Sequence, residues 1–442
     1  MSNCTTNKTT QQTGNPEHQC CWVYDPLPSQ ALFFAKPERF KGFSGPVGSG
    51  KTAALCVEAI SLANVNVGRY GLIGAPTFGM LRDATQVTLF ELLESLDFSY
   101  DFKKTDGEIT FRTSDSVVLL RSLDEPERLR GTNLAWFGVD ELSYAREDAW
   151  LRLEARLRDP KATRLAGLGA WTPTGHTWTY KRFIHEPVKG YGCVRAKPFE
   201  NRFLLERTPD YYERLQGSYD PKFFQQEALG EYLNSRSDRV YHCFSHSLHV
   251  VDLKYDRHKP LLWSLDFNVS PMSSVVAQFD GEKLVAIDEI VLSRSTTKQA
   301  CEEFVNRYGN HTGELKIFGD ASGRAQQTSG RSDYDEVKAQ LHCAGLHKFT
   351  THFPVSNPPV IKRVQQVNAL LVNAYGEVRL EVNSRCKELI KDLEEVMFQP
   401  DSGVVDKLHD PKRTHTSDAL GYMIWHLFGE KKKAGEVNKP LL

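Results

Sequence analysis

The sequence has no long apolar run, no cysteine pair at CxxC spacing and almost no net charge, and each absence excludes something. No run is long enough to span a bilayer, and the opening MSNCTTNKTTQQTGNPEHQ lacks the apolar stretch of a secretory signal. A soluble, intracellular protein is expected. Of the nine cysteines, Cys20 and Cys21 are neighbours, while Cys4, Cys56, Cys193, Cys243, Cys301, Cys343 and Cys386 are scattered. That distribution indicates neither a zinc motif nor a disulfide framework. Balancing 55 basic against 56 acidic residues leaves a formal charge of -1, so any contact with nucleic acid must come from local patches. No internal repeat is present.

What is there is enough chain for two domains: 442 residues, 40% of them hydrophobic. Residues 1–20, rich in Thr, Asn and Gln, read as a loose arm. From 21 to 200, short apolar runs alternate with helical patterns: FKGFSG, TAALCVEAISLANV, YGLIGAP, SVVLLRSL, LAWFGVD and LAGLGAW. That rhythm predicts an α/β domain with a parallel sheet flanked by helices. Residues 201–255 break into charged and aromatic turns, expected as a lid and linker. A second strand series fills 256–430: LLWSLDFN, SSVVAQF, KLVAIDEIVL, a helix over TTKQACEEFVNRY, ELKIFGDAS and a final helix at SDALGYMIWHLFG. A polar tail, 431–442, closes the chain.

GPVGSGKT, from Gly45 to Thr52, fits G-x-x-x-x-G-K-[ST] between an apolar strand and a helical run. In such a loop Gly45, Gly48 and Gly50 let backbone N–H groups curl around phosphate, and Pro46, Val47 and Ser49 complete the nucleotide-binding loop. Lys51 reaches the β and γ oxygens, and the Thr52 hydroxyl ligates Mg²⁺. LAWFGVDE then delivers Asp140 and Glu141 at the carboxyl end of a strand, where ligands bind in open α/β sheets. Asp140 is expected in the Mg²⁺ shell, and Glu141 as the group that orients or deprotonates the attacking water. In RLRGTN, Arg130 is the choice over Arg128 for stabilising charge on the γ-phosphate. Gln30, in PLPSQALFF, is placed at the adenine edge, and Thr172 to Thr174 at a strand tip beside the γ-phosphate. ATP binding and hydrolysis follow.

Three further aspartates stand in matching contexts: Asp266 in LLWSLDFN, Asp320 in LKIFGDAS and Asp418 in THTSDALGY. Carboxylates gathered from separate elements repel unless cations lie between them, so a convergent trio predicts paired Mg²⁺ or Mn²⁺ able to clamp a phosphodiester. Asp266 is the expected bridging ligand, with His415 and His409 as neighbours. Taken singly, each aspartate reads as a strand end or helix cap. Asp288 and Glu289 are read as structural, because alternation sends them to opposite faces of a strand.

The order of these features resembles the large terminase subunit of tailed bacteriophages over most of the chain. The resemblance rests on GPVGSGKT, RGTNLAWFGVDE, WTPTGHTW, LDFN, GDAS and TSDALGY. It implies an ATPase core of the additional-strand, conserved-glutamate type, a small lid, and a C-terminal nuclease of ribonuclease H-like fold cutting by two metals. It also implies an arginine finger at Arg130, a coupling motif at Thr172 to Thr174, and nuclease ligands at Asp266, Asp320 and Asp418. The implied partners are double-stranded DNA, a portal protein, a small terminase subunit and further copies of the chain in a pentameric ring, in the host cytoplasm. Relatives often carry Asn at the coupling tip and a second acidic residue where Ser417 stands. Lys181, Arg182, Lys362, Arg363, Lys412 and Arg413 are candidate phosphate contacts. The competing reading is a helicase or repair-type ATPase whose C-terminal domain only binds nucleic acid.

Overall fold

A computed structural model of the chain describes residues 23–124, 131–233, 239–268, 270–326, 330–399, 404–407, 410 and 413–429. These form two units. One holds the residues through Tyr212 and a returning stretch from Gln225; the other holds Glu213–Phe224 and the residues after 234. The 201–255 stretch, expected as lid and linker, is therefore divided between them. Its later part carries Val240, Tyr241 and Phe244 into a core of the second unit.

The first unit is built on eight strands: β1 (Phe40–Ser44), β2 (Tyr70–Ala75), β3 (Tyr100–Lys103), β4 (Glu108–Phe111), β5 (Val117–Ser122), β6 (Trp136–Val139), β7 (Ala166–Trp171) and β8 (Tyr191–Arg195). Their order is β3-β4-β5-β2-β6-β7-β1-β8. β4 runs opposite to the other seven strands, so its pairings with β3 and β5 are antiparallel and the rest are parallel. The five apolar runs of the sequence are β1, β2, β5, β6 and β7, which helices cover on both faces. β7 lies between the strand leading to the phosphate loop and the strand ending in the acidic pair, which is the additional-strand arrangement. Helix Lys51–Val65 packs on this sheet and is buried along most of its length. Inside the core, Lys41 of β1 and Glu58 of that helix form an ion pair at 2.5 Å.

The second unit holds β9 (Val250–Val251), β10 (Leu261–Asp266), β11 (Met272–Phe279), β12 (Leu284–Leu292), β13 (Leu315–Gly319), β14 (Phe349–His352) and β15 (Leu380–Asn383), in the order β14-β13-β10-β11-β12-β15-β9. β10, β11 and β12 form an antiparallel meander; β13 pairs parallel to β10, and β14 parallel to β13. That core order is the ribonuclease H-like one. Helix Thr297–Tyr308 opens on a capping box between Thr296 and Gln299, as TTKQ suggests. Helix His415–Phe428 lies across β10, β11 and β13, tied down where Ser264 Oγ donates to the Ala419 carbonyl at 2.6 Å. Asp288 accepts from Arg307 and Tyr308, while Glu289 accepts the N–H groups of Glu388 and Leu389, so both serve the framework.

Candidate functional site

In the first unit, β1 runs into the loop Gly45–Gly50 and out into helix Lys51–Val65. The loop turns through left-handed conformations at Gly48 (φ 75°) and Gly50 (φ 76°). A Cβ at Gly48 would lie 2.7 Å from Leu204 Cδ2, and one at Gly50 2.7 Å from Gln30 Nε2, so glycine is required at both. Lys51 Nζ donates to the Pro46 carbonyl at 2.8 Å, and Ser49 Oγ to the same oxygen at 2.7 Å. Asn201 Nδ2 donates to the Gly48 carbonyl at 2.6 Å, and Val47 N–H to that of Glu227 at 2.7 Å.

The acidic pair stands where β6 ends. Asp140 is 1% exposed, and its Oδ2 accepts from Thr52 Oγ1 at 3.0 Å and Thr85 Oγ1 at 2.9 Å. Oδ1 takes the Glu141 N–H at 3.1 Å. Burial pushes the Asp140 carboxyl up from its ordinary range, against those hydroxyls and Lys51. Glu141 turns into the left-handed region (φ 49°). Burial, then the charge of Asp140, push its carboxyl up to about 7. Burial lowers Lys51, with Glu141, Asp140 and Glu227 opposing. Two oxygen donors, Thr52 and Asp140, thus converge where Mg²⁺ would sit, and that donor set fits the ion.

Gln30, expected at the adenine edge, is 1% exposed. Its amide oxygen accepts from Leu27 N–H and Tyr24, and its Nε2 donates to the Gly50 carbonyl at 2.9 Å. With both ends of the amide engaged, it braces the phosphate loop. Thr172 is buried at the tip of β7, and Thr174 Oγ1 is buried without a hydrogen-bond partner. Arg128, Arg130, His409 and Lys412 lie outside the described residues. Sequence reasoning missed Thr85, Glu227 and Asn201. No motif marks them, since each reaches the loop or the acidic pair from a distant segment.

In the second unit, Leu265 pairs with Gly319 across parallel strands, so Asp266 and Asp320 follow side by side at the carboxyl ends of β10 and β13. Asp266 Oδ2 is 2.9 Å from His415 Nδ1 and accepts from Asn268 Nδ2 at 2.6 Å. Burial raises the Asp266 carboxyl above its ordinary range; His415 lowers it, and the charges of Asp418 and Asp320 raise it. Asp320 Oδ1 is buried without a partner, an orphan acceptor of the kind a cation satisfies. Asp418 belongs to the first turn of helix His415–Phe428, whose cap is Thr414, so it is not itself the cap. Its Oδ1 takes Arg363 Nη2 at 2.6 Å and its Oδ2 takes Lys407 Nζ at 2.7 Å.

Asp266 and Asp320 therefore fit a divalent ion, while both oxygens of Asp418 are engaged by cationic side chains. Among the candidate phosphate contacts, Arg363 is committed to Asp418, Arg182 to Glu147 and Glu154, and Arg413 to Glu388, Asp392 and Asp410. Those three are framework residues, which leaves Lys181 and Lys362 among the described candidates.

A phosphate loop with its acidic pair in one unit and a ribonuclease H-like sheet bearing strand-end carboxylates in the other define a class: a P-loop NTPase fold joined to a nuclease-type fold. Residues 43–245 match the family described as terminase large subunit, T4likevirus-type, N-terminal. Among solved structures, the fold is similar to the large terminase of a thermophilic bacteriophage in complex with ATP-gamma-S. That likeness has 17% identity and a TM-score of 0.64, and covers 92% of this chain and 100% of that one. The same phage protein in complex with ADP gives 18% identity, a TM-score of 0.63, and coverage of 91% and 100%. No curated relative matches by sequence. Among the described residues, no helix is long and apolar enough to cross a membrane.

Proposed function

We propose that the chain is the motor subunit of a viral DNA-packaging machine. On this reading the first unit hydrolyses ATP to drive double-stranded DNA into a procapsid, and the second cuts concatemeric DNA. The observation that carries it is Asp140 fixed between the Thr52 and Thr85 hydroxyls, with Glu141 beside it at the end of β6. Backbone N–H groups of the Gly45–Gly50 loop and Lys51 hold the phosphates. Thr52 and Asp140 would hold Mg²⁺, which neutralises charge on the phosphate oxygens. Glu141 orients the attacking water and takes its proton, a role suited to a carboxyl pushed up to about 7. Arg130 is the proposed arginine finger, and Thr172 to Thr174 the coupling element.

In the second unit, Asp266, Asp320 and Asp418 are the proposed ligands of paired Mg²⁺ or Mn²⁺, which would stabilise the attacking and leaving oxygens of the cut strand. His415 holds Asp266 in place through Oδ2. The proposed partners are the portal protein, a small terminase subunit and further copies in a pentameric ring, in the host cytoplasm. Glu141→Gln is expected to keep ATP binding and lower its turnover by roughly 10²-fold or more. Unchanged turnover in that variant contradicts the assignment.

One observation favours the other reading, an ATPase with a non-cutting nucleic-acid-binding domain: both oxygens of Asp418 are engaged by Arg363 and Lys407. Divalent-metal-dependent cutting of plasmid DNA separates the two.

A further inference from the structure

Among the described residues, one trio of metal-capable side chains brings its ligand atoms within 4.8 Å of one another, and it lies outside the sites above: Asp220, His242 and Cys243. Asp220 is 2% exposed and caps the helical turn Pro221–Phe223, where its Oδ1 accepts the N–H groups of Lys222 and Phe223 at 3.0 and 3.1 Å. Those bonds fix the carboxylate while leaving lone pairs for a further partner. His242 Nε2 stands 3.2 Å from the same oxygen. Cys243 is a free, half-buried thiol.

Side chains of consecutive residues ordinarily diverge, and here a pinned turn brings them together. Val240 N–H donates to the Val396 carbonyl and Phe244 N–H to that of Tyr241. Cys243 N–H donates to Asn368 Oδ1, whose Nδ2 returns a bond to the Val240 carbonyl. The turn thus places imidazole and thiol beside a carboxylate already held in position.

We propose that Asp220, His242 and Cys243 bind one zinc-class ion, a borderline-soft divalent cation with water as its fourth ligand. One oxygen, one imidazole nitrogen and one sulfur make a donor set that suits Zn²⁺, whereas Mg²⁺ and Ca²⁺ take oxygen. Ligand atoms around a tetrahedral zinc stand roughly 3.3–3.8 Å apart, given bonds of about 2.0–2.3 Å, so side-chain shifts on the order of 1 Å close the site. As the metal–sulfur bond forms, the Cys243 thiol releases its proton to solvent; neutral His242 gives a ring lone pair and Asp220 enters as carboxylate. The ion fastens the excursion Glu213–Phe224 to the turn at 240–243, both within the second unit, and so stabilises that unit.

The test uses the full-length, untagged chain, stripped by chelator and titrated with Co²⁺ and then Zn²⁺ in the presence of Mg²⁺. Expected are one equivalent of bound Co²⁺ with a near-ultraviolet thiolate band, displacement by Zn²⁺ but not by Mg²⁺, and a Zn²⁺-dependent rise in unfolding temperature. Cys243→Ser removes the band. Asp220→Asn preserves the cap acceptor, so the turn at Pro221–Phe223 persists. Each substitution weakens Zn²⁺ at least about tenfold, the loss that even the outer partners of a metal produce. A band that survives Cys243→Ser, or an equal Zn²⁺ response in all three proteins, overturns the proposal.

Discussion

A carboxylate buried beside another carboxylate resists ionisation, and Glu141 stands in that position next to Asp140. The Thr52 and Thr85 hydroxyls keep Asp140 usable by supplying donors to its Oδ2. Thr85→Val is close to isosteric and takes one donor away. The expected result is a loss of about 1–3 kcal/mol in stability and a lower ATP turnover, measured by chemical unfolding and phosphate release. No change in either would mean that the bond does not support the site. Asp140 and Glu141 were legible because a buried strand ending in two acids is an unusual pattern. Thr85 was not, since it closes a helical turn, Leu81–Thr85, that carries no motif. Gln30 was legible as a residue near the loop, but its bond to Gly50 was not, because that partner is a backbone carbonyl that no side-chain pattern reveals. Arg363 and Lys407 were equally invisible as partners of Asp418: ion pairs across a fold leave no local trace.

At the scale of elements, β1 and helix Lys51–Val65 frame the phosphate loop, and the buried Lys41–Glu58 pair clamps them together. Lys41 also donates to the Phe33 carbonyl at 3.1 Å. Lys41→Met leaves Glu58 in the core with only Arg164, 3.6 Å away and partly exposed. Breaking a buried pair from one side is expected to cost about 3–5 kcal/mol in stability and to loosen nucleotide binding, read by chemical unfolding and ATP titration. A stable Lys41→Met protein with unaltered ATP affinity would show that the clamp does not hold the loop. The parallel strands were readable because burial on both faces turns them into continuous apolar runs. β3 alternates between half-buried and exposed residues and β4 between half-buried and buried ones, four residues each, so both lack that signal. β9 has only two residues and exists because β15 pairs with it. The meander of β10, β11 and β12 followed by helix Thr297–Tyr308 and β13 was readable, since each run is long and the helix starts at a capping box.

At the scale of the whole molecule, the proposed function puts two chemistries in one chain whose net charge is close to zero, so on that reading neither unit relies on a global field to meet DNA. Each chemistry is expected to fail alone. Lys51→Ala abolishes ATP turnover and leaves metal-dependent cutting in place, and a joint loss would point to unfolding rather than to a lost phosphate contact. The two units were foreseen from length and from the second strand series. Their interleaving at 213–234 was not, because an excursion of a dozen residues from one core into another has no compositional mark.

Asp266 as a metal ligand is what separates a cutting motor from an ATPase that only binds DNA, and one measurement addresses it directly. Plasmid cleavage in Mg²⁺ or Mn²⁺, run beside ATP turnover on wild-type and Asp266→Ala protein, is expected to show cutting by the first and none by the second, with equal turnover in both. Cutting that persists in Asp266→Ala, or no cutting by the wild-type protein with either metal, would contradict it.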